Sequence, residues 1–225
     1  MDVVTTADVD PDEVLSIVSV AMLKKNLRIS HSKEDDVAAQ SILAAYDWLA
    51  NPTLGWLNRA LITQTYQAVL PGFQKEQTYS SRASGGPAVR WVPTSSIVLP
   101  KPPLVSVQSI TYLTGGVVTT LATDQYSVKT SGTFGNVSLV YQKTWPTVDV
   151  DDGAVKINFT AGYGDGETVK LKCPGIVQAM LMLAGDAFRN REDTYAEPRL
   201  VAVNRKVING VTRYAGRYRI LNSHA

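Results

Sequence analysis

Ile97-Val-Leu-Pro-Lys-Pro-Pro-Leu-Val-Ser-Val-Gln-Ser-Ile-Thr-Tyr-Leu113 is the stretch that decides the fold class. Pro100, Pro102 and Pro103 cannot donate to a central ladder, so they mark a crossing or an edge. The run after them, Val105 to Leu113, is rich in β-branched residues and reads as a strand. Working outward, Ser95 to Leu99, Val117 to Leu121, Tyr126 to Lys129, Asn136 to Leu139 and Ala154 to Thr160 read as further short strands. Gly115-Gly116 is a hairpin turn between two of them. Upstream, Leu61 to Leu70 is a strand closed by Pro71-Gly72, and the polar residues Gln74 to Pro87, with Ser80-Ser81 and Gly85-Gly86, read as an exposed loop. The middle of the chain is therefore a compact antiparallel β unit.

Helical signals flank this unit. Asp10 is placed as an N-cap, Pro11 suits the first helical position, and Asp12 and Glu13 suit the positive end of the dipole. Val14, Ile17, Val18, Ala21 and Met22 recur at helical spacing, and Lys24 and Lys25 suit the C-terminal end. A second helix starts near Ser32, where Ser32-Lys-Glu-Asp35 partly matches a capping box. Its apolar face is Ala38, Ile42, Ala45, Tyr46 and Leu49, and Asn51-Pro52 ends it before the turn Thr53 to Trp56. A long helix opens at Pro174, with Ile176, Val177, Met180, Leu181, Leu183, Ala184, Ala187 and Phe188 on a wide apolar face and Arg189 and Arg191 in its last turns. It is expected to pack on the first two helices. After Pro198, Val201, Val203, Val207, Ile208 and Val211 suggest extended structure with an Asn209-Gly210 turn.

Charge is distributed unevenly along the 225 residues. Up to Leu70, nine acidic residues (Asp2, Asp8, Asp10, Asp12, Glu13, Glu34, Asp35, Asp36, Asp47) face five basic ones (Lys24, Lys25, Arg28, Lys33, Arg59). Beyond Pro198, Arg199, Arg205, Lys206, Arg213, Arg217 and Arg219 face no acidic residue. Such asymmetry points to a charged partner for the tail or to head-to-tail contact between copies. Tyr214, Tyr218, Ile220 and Leu221 interleave with the arginines, whereas purely solvating tails are poor in aromatics. Docking then needs tyrosine burial or strand pairing, because an exposed ion pair is worth only ~0–1 kcal/mol.

Chemistry finds no home in this sequence. Cys173 is the only cysteine, which rules out an intrachain disulfide and a cysteine-rich metal site. A catalytic thiol needs a base, and His31 and His224 are the only histidines, so Cys173 reads as an inert buried thiol. Gly162-Tyr-Gly-Asp-Gly166 lacks the ending of a phosphate-binding loop and reads as a glycine-rich turn not followed at once by a helix. Asp149, Asp151 and Asp152 lack calcium-loop spacing. Asp186 and Glu192 converge with no other acid or base. Trp91, Trp145 and Tyr163 could stack a sugar, though aromatics in a β unit are more often core or interface. Neither cofactor nor metal is expected. No apolar run approaches the ~20 residues of a membrane helix, and the polar, acidic Met1 to Asp8 is unlike a signal or transit peptide.

These readings define an α+β chain: a small helical bundle of two N-terminal helices plus a long C-terminal helix, an inserted antiparallel β-rich unit, and an extended C-terminal tail. The expected segments are 1–60 (N-terminal helices), 61–172 (β-rich unit), 173–197 (long helix on the N-terminal helices) and 198–225 (basic docking tail).

Arg59-Ala-Leu-Ile-Thr-Gln-Thr-Tyr66, Leu99-Pro-Lys-Pro-Pro-Leu-Val-Ser-Val107, Thr144 before Trp145-Pro146, Val155-Lys-Ile-Asn-Phe-Thr-Ala-Gly-Tyr-Gly164 and Ile176-Val-Gln-Ala-Met-Leu-Met-Leu183 occur in this order. Together with Leu27-Arg28-Ile29 and its acidic run, Asn190-Arg191-Glu192, and Gly216-Arg217-Tyr218-Arg219-Ile220, they resemble the tailed-phage head–tail connector family, also called adaptor or head-completion proteins. The resemblance runs from Asp12 onward. The family usually has valine before the helix-opening proline, where this chain has Cys173, and Arg199 to Thr212 match little in it.

The resemblance implies a non-enzymatic virion part, assembled in the host cytoplasm. Roughly a dozen copies, a dodecamer, would form a closed heterologous ring beneath the portal protein. That ring would extend the DNA channel, without sequence-specific contact to the DNA, and receive the next neck or tail protein. No membrane is involved. The tails would grip the portal through Arg199, Arg205, Lys206, Arg213, Tyr214, Arg217, Tyr218, Arg219 and Ile220, so that removing Arg199 to Ala225 would leave a folded chain unable to join capsids. The competing reading is nucleic-acid binding through the basic tail, with steep salt dependence. A third is a sugar-binding module or β-type enzyme.

Overall fold

A computed structural model describes residues 2–5, 9–73, 75–81, 87–93, 96–190 and 198–220, with 2–5, 75–81, 87–93 and 198–206 described by backbone alone. The chain divides into two compact units, Met1–Thr6 with Thr65–Ala161, and Ala7–Gln64 with Gly162–Ala225.

The β unit carries strands β1 (Asp2–Thr5), β2 (Gln64–Leu70), β3 (Lys75–Ser81), β4 (Pro87–Pro93), β5 (Ser96–Val98), β6 (Leu104–Thr114), β7 (Val117–Thr120), β8 (Tyr126–Lys129), β9 (Asn136–Leu139) and β10 (Val155–Ala161). Five of them form one sheet in the order β1-β2-β10-β6-β7; β5-β9-β8 form a second and β3-β4 a two-stranded ribbon. β10 alternates strictly: Val155, Ile157, Phe159 and Ala161 are buried and the residues between them are not, as a half-buried strand requires. Phe159 stacks on Tyr66 with ring centroids 5.6 Å apart, and Ile157 pairs with Ile110 of β6. Gly115 and Gly116 turn at positive φ (57° and 75°), and their N–H groups donate to the Asp149 carboxylate at 3.0 and 2.8 Å. Glycine takes that conformation without the penalty a Cβ would bring.

The expected polar loop over 74–87 is corrected. Lys75 to Ser81 pairs antiparallel with Pro87 to Pro93. Thr78, Tyr79, Val89, Trp91 and Val92 are good strand formers, masked in the sequence by the polar residues among them. Gly85-Gly86 lies outside the described residues.

The helical unit carries α1 (Pro11–Ile17), α2 (Val20–Leu27), α3 (Asp35–Ala50), α4 (Gly166–Lys172), α5 (Pro174–Arg189) and α6 (Pro198–Ala215), followed by a 3-10 turn at Gly216–Tyr218. Asp10 caps α1, its carboxylate accepting the Asp12 N–H at 2.9 Å. The expected single first helix is two. Val18 is extended, and Ser19 restarts the helix by accepting the Met22 N–H at 3.2 Å. The break shifts the phase, so Leu23 is buried while Ala21 is exposed. The capping box at Ser32 does not form: α3 begins without a side-chain cap. All five residues expected on its apolar face are buried. It ends before Pro52, where the Asn51 side chain accepts the Thr53 and Leu54 N–H groups at 2.9 and 3.0 Å.

α4 is a further correction, because the glycine-rich turn does lead at once into a helix. Asp165 caps it by accepting the Thr168 N–H at 2.8 Å, and the Gly166 N–H donates to the Glu13 carboxylate at 2.8 Å. Cys173 is fully buried where α4 meets α5, and burial pushes its thiol pKa up. α5 packs on α2 and α3, as expected of the long helix. Arg191 lies outside the described residues.

The tail is corrected as well. Residues 198–215 are helix rather than extended chain with an Asn209-Gly210 turn. Tertiary packing overrides β-branched propensity here. Val207, Val211 and Ala215 recur every four residues and pack into the core with Val14, Ile42, Ile176 and Met180. Gly210 lies inside the helix, where an added Cβ would strike the Met182 methyl group. Removing Arg199 to Ala225 therefore strips Val211, Ala215 and Tyr218 from the core instead of leaving an intact bundle.

Candidate functional site

The end of α6 returns to the loop after α3 and is held there by several polar contacts. The Arg59 Nε donates to the Tyr218 carbonyl at 2.8 Å, and a second Arg59 nitrogen donates to the Tyr163 hydroxyl. The Arg59 guanidinium also lies 5.7 Å from the Tyr163 ring centroid. The Ile220 N–H donates to the Leu57 carbonyl at 2.9 Å. The Arg219 guanidinium covers the Trp56 ring at 4.6 Å, and Trp56 stacks on Trp48 at 5.7 Å. Burial raises the Tyr163 pKa while Arg59 opposes the rise, so the phenol stays neutral and accepts the Arg59 hydrogen bond.

The nine tail residues thus separate. Tyr218 is buried, and Tyr218, Arg219 and Ile220 are engaged within their own unit. Arg213, Tyr214 and Arg217 are exposed, Arg217 lying over the Tyr218 ring at 5.2 Å. Arg199, Arg205 and Lys206 lie on α6, where the backbone alone is described, and Leu221 lies outside the described residues. The basic segment over 198–215 is carried on a helix rather than on an extended chain.

The other chemical candidates are scattered. Trp145 stacks on Phe73 at 4.6 Å in the β unit, Tyr163 is paired with Arg59 in the helical unit, and the Trp91 side chain is outside the description. Asp149 serves the Gly115-Gly116 turn. No group of three acidic, histidine or cysteine residues is placed to hold a metal ion among the described residues, and no described helix is long and apolar enough to cross a membrane. Sequence reasoning missed Arg59 and its partners as the seat of the C-terminus. The available signal was a lone arginine between Leu57, Ala60 and Leu61, all buried.

Replacing Arg59 by methionine keeps the aliphatic bulk and removes both hydrogen bonds. We expect a loss of about 1–2 kcal/mol, since the partly buried Tyr218 carbonyl loses its donor. Limited proteolysis should then cut near Tyr218 sooner than in the parent; unchanged stability and cleavage would deny Arg59 this anchoring role.

No family model matches the chain, and no curated protein does. Solved structures do. The chain is similar to a component of the neck of an empty gene transfer agent particle computed with C6 symmetry, at TM-score 0.67 and 18% identity, over 100% of this chain and 98% of that one. It is similar to a component of the native gene transfer agent virion at TM-score 0.66 and 18% identity, with the same coverage. A component of the native particle's neck computed with C12 symmetry gives TM-score 0.60 at 18% identity, again over 100% and 98%. The chain has the fold of a particle-neck component. At this identity the likeness is one of fold, and it extends over both units, in keeping with the α+β architecture and the connector resemblance read from the sequence.

Proposed function

We propose that this chain is a structural component of the neck of a tailed, phage-like particle. Copies form a closed ring under the portal that extends the DNA channel and receives the next neck or tail protein. The observation that carries this reading is the end-to-end likeness in fold to components of gene transfer agent necks, covering 100% of this chain. Ring formation is supported by the C6 and C12 symmetry under which those necks were computed, because copies related by rotation make a closed heterologous ring. The proposed location is the finished virion, and the role is one of contact rather than bond-making.

The exposed side of α6, with Arg213 and Tyr214, is the assembly surface in this reading. The docking role expected of the whole tail narrows accordingly, because Tyr218 to Ile220 are used inside the unit. Particles assembled without this chain should accumulate as packed heads lacking tails, restored by supplying the chain. Complete, infectious or transducing particles made without it would overturn the reading.

A further inference from the structure

α3 and α6 pack on one helix, α5, and expose opposite charges, Asp36 and Asp47 on α3 and Arg213 on α6. Gly175 and Met182 of α5 approach Tyr214 and Gly210 of α6. Ala184, about two and a half turns beyond Gly175, faces the other way and is fully buried in the core with Ile176 and Met180. α3 meets that core through Ala38, Ile42, Ala45 and Leu49. α3 and α6 both pack on α5, and each leaves exposed residues on its outer face.

On α3 the exposed positions are Asp36, Gln40, Ala44, Asp47 and Trp48, and no lysine or arginine occurs in the helix. Asp35 is already paired with Lys24 at 2.6 Å, so Asp36 and Asp47 carry the open charge. On α6 the exposed positions include Ile208, Thr212, Arg213 and Tyr214, and the helix holds four basic residues and no acidic one. Each face also exposes large apolar area, Trp48 at 41% against Ile208 at 45% and Tyr214 at 43%. Aromatic anchors flanked by charge are what interfaces concentrate.

We infer that the α3 face of one copy meets the α6 face of the next. The occupant is a second copy of this chain, chosen by charge: the open carboxylates of Asp36 and Asp47 and the exposed guanidinium groups of Arg213 and Arg217 are complementary between copies. Such a contact repeats by rotation and closes. The contact rests on the ring reading above and specifies which surfaces build the ring. It assigns Arg213 and Arg217 to the neighbouring copy and not to the portal.

Charge reversal tests it in the full chain. One variant carries Asp36→Lys and Asp47→Lys, the other Arg213→Glu and Arg217→Glu; circular dichroism checks that both fold. Sedimentation across a wide concentration range should find salt-weakened self-association in the parent and association about tenfold or more weaker in each variant, where like charges now meet. An equimolar mixture should recover association, because each reversed face then finds an opposite one. A parent that stays monomeric at every concentration would overturn the inference. So would variants that associate like the parent, or a mixture that does not recover. Intact self-association in the Arg213→Glu, Arg217→Glu variant with loss of attachment to portal-bearing heads would assign α6 to the portal instead. The neck reading fails separately, by absence of the chain from finished particles.

Discussion

Phe159→Ala is expected to destabilise the β unit by about 3–5 kcal/mol, the cost of deleting a fully buried aromatic side chain. Phe159 has no exposed surface, sits on the buried face of β10 and stacks on Tyr66, itself nearly fully buried. Burial pushes the Tyr66 pKa up to about 12. The lost stacking and the cavity both count, because close-packed interiors relax only partly around a void. Urea unfolding followed by near-ultraviolet circular dichroism reads the loss. Thr160→Ala, one position along on the half-exposed face, is the control and should cost less than about 1 kcal/mol. Equal losses at both positions would contradict the strand register.

Gly175→Val is expected to cost about 3 kcal/mol, the upper end for overpacking a close contact. A Cβ at Gly175 would run into the Tyr214 carbonyl oxygen, which is backbone, and come within 3.1 Å of the Tyr218 ring. The backbone of α6 must move away to admit it, and Tyr218 with it. Hydrogen exchange of α6 amides should accelerate in this variant before that of α3. Gly210→Ala is the informative contrast. Its Cβ would meet the methyl end of Met182, a flexible group that can turn aside, while alanine gains about 1 kcal/mol of helix propensity over glycine. Its net effect should be small. A neutral Gly175→Val would mean that α6 does not dock on α5 as described.

These two sites also mark what the sequence makes legible. β10 can be read directly, since Val155, Ile157, Phe159 and Ala161 alternate with polar residues and a period of two has one interpretation. The apolar stripe of α3 is equally plain. The break at Val18-Ser19 is not, because Val14 to Met22 keep an unbroken apolar spacing and Ser19 reveals itself only by capping Met22. α4 hides behind a glycine-rich turn whose Asp165 cap can be read only once the helix is seen. α6 is the instructive miss. Pro198 opens the helix and Val207, Val211 and Ala215 repeat at four-residue spacing, both helical signals, but β-branched residues and Asn209-Gly210 outweighed them. Gly210 faces Met182 of α5, a tertiary contact that no local pattern displays.

The candidate site follows the same division. The basic character of the C-terminal segment is plain from composition, as is the acidic first half. Which basic residues are spent internally is not, because that depends on Arg59, Trp56 and Leu57, some 160 residues earlier along the chain.

The most direct test of the central claim is imaging of purified necks from particles that encode this chain, at a resolution that traces individual helices. The account predicts this fold repeated as a closed ring directly beneath the portal, around the DNA channel. Necks complete in every other component but lacking this chain would contradict it.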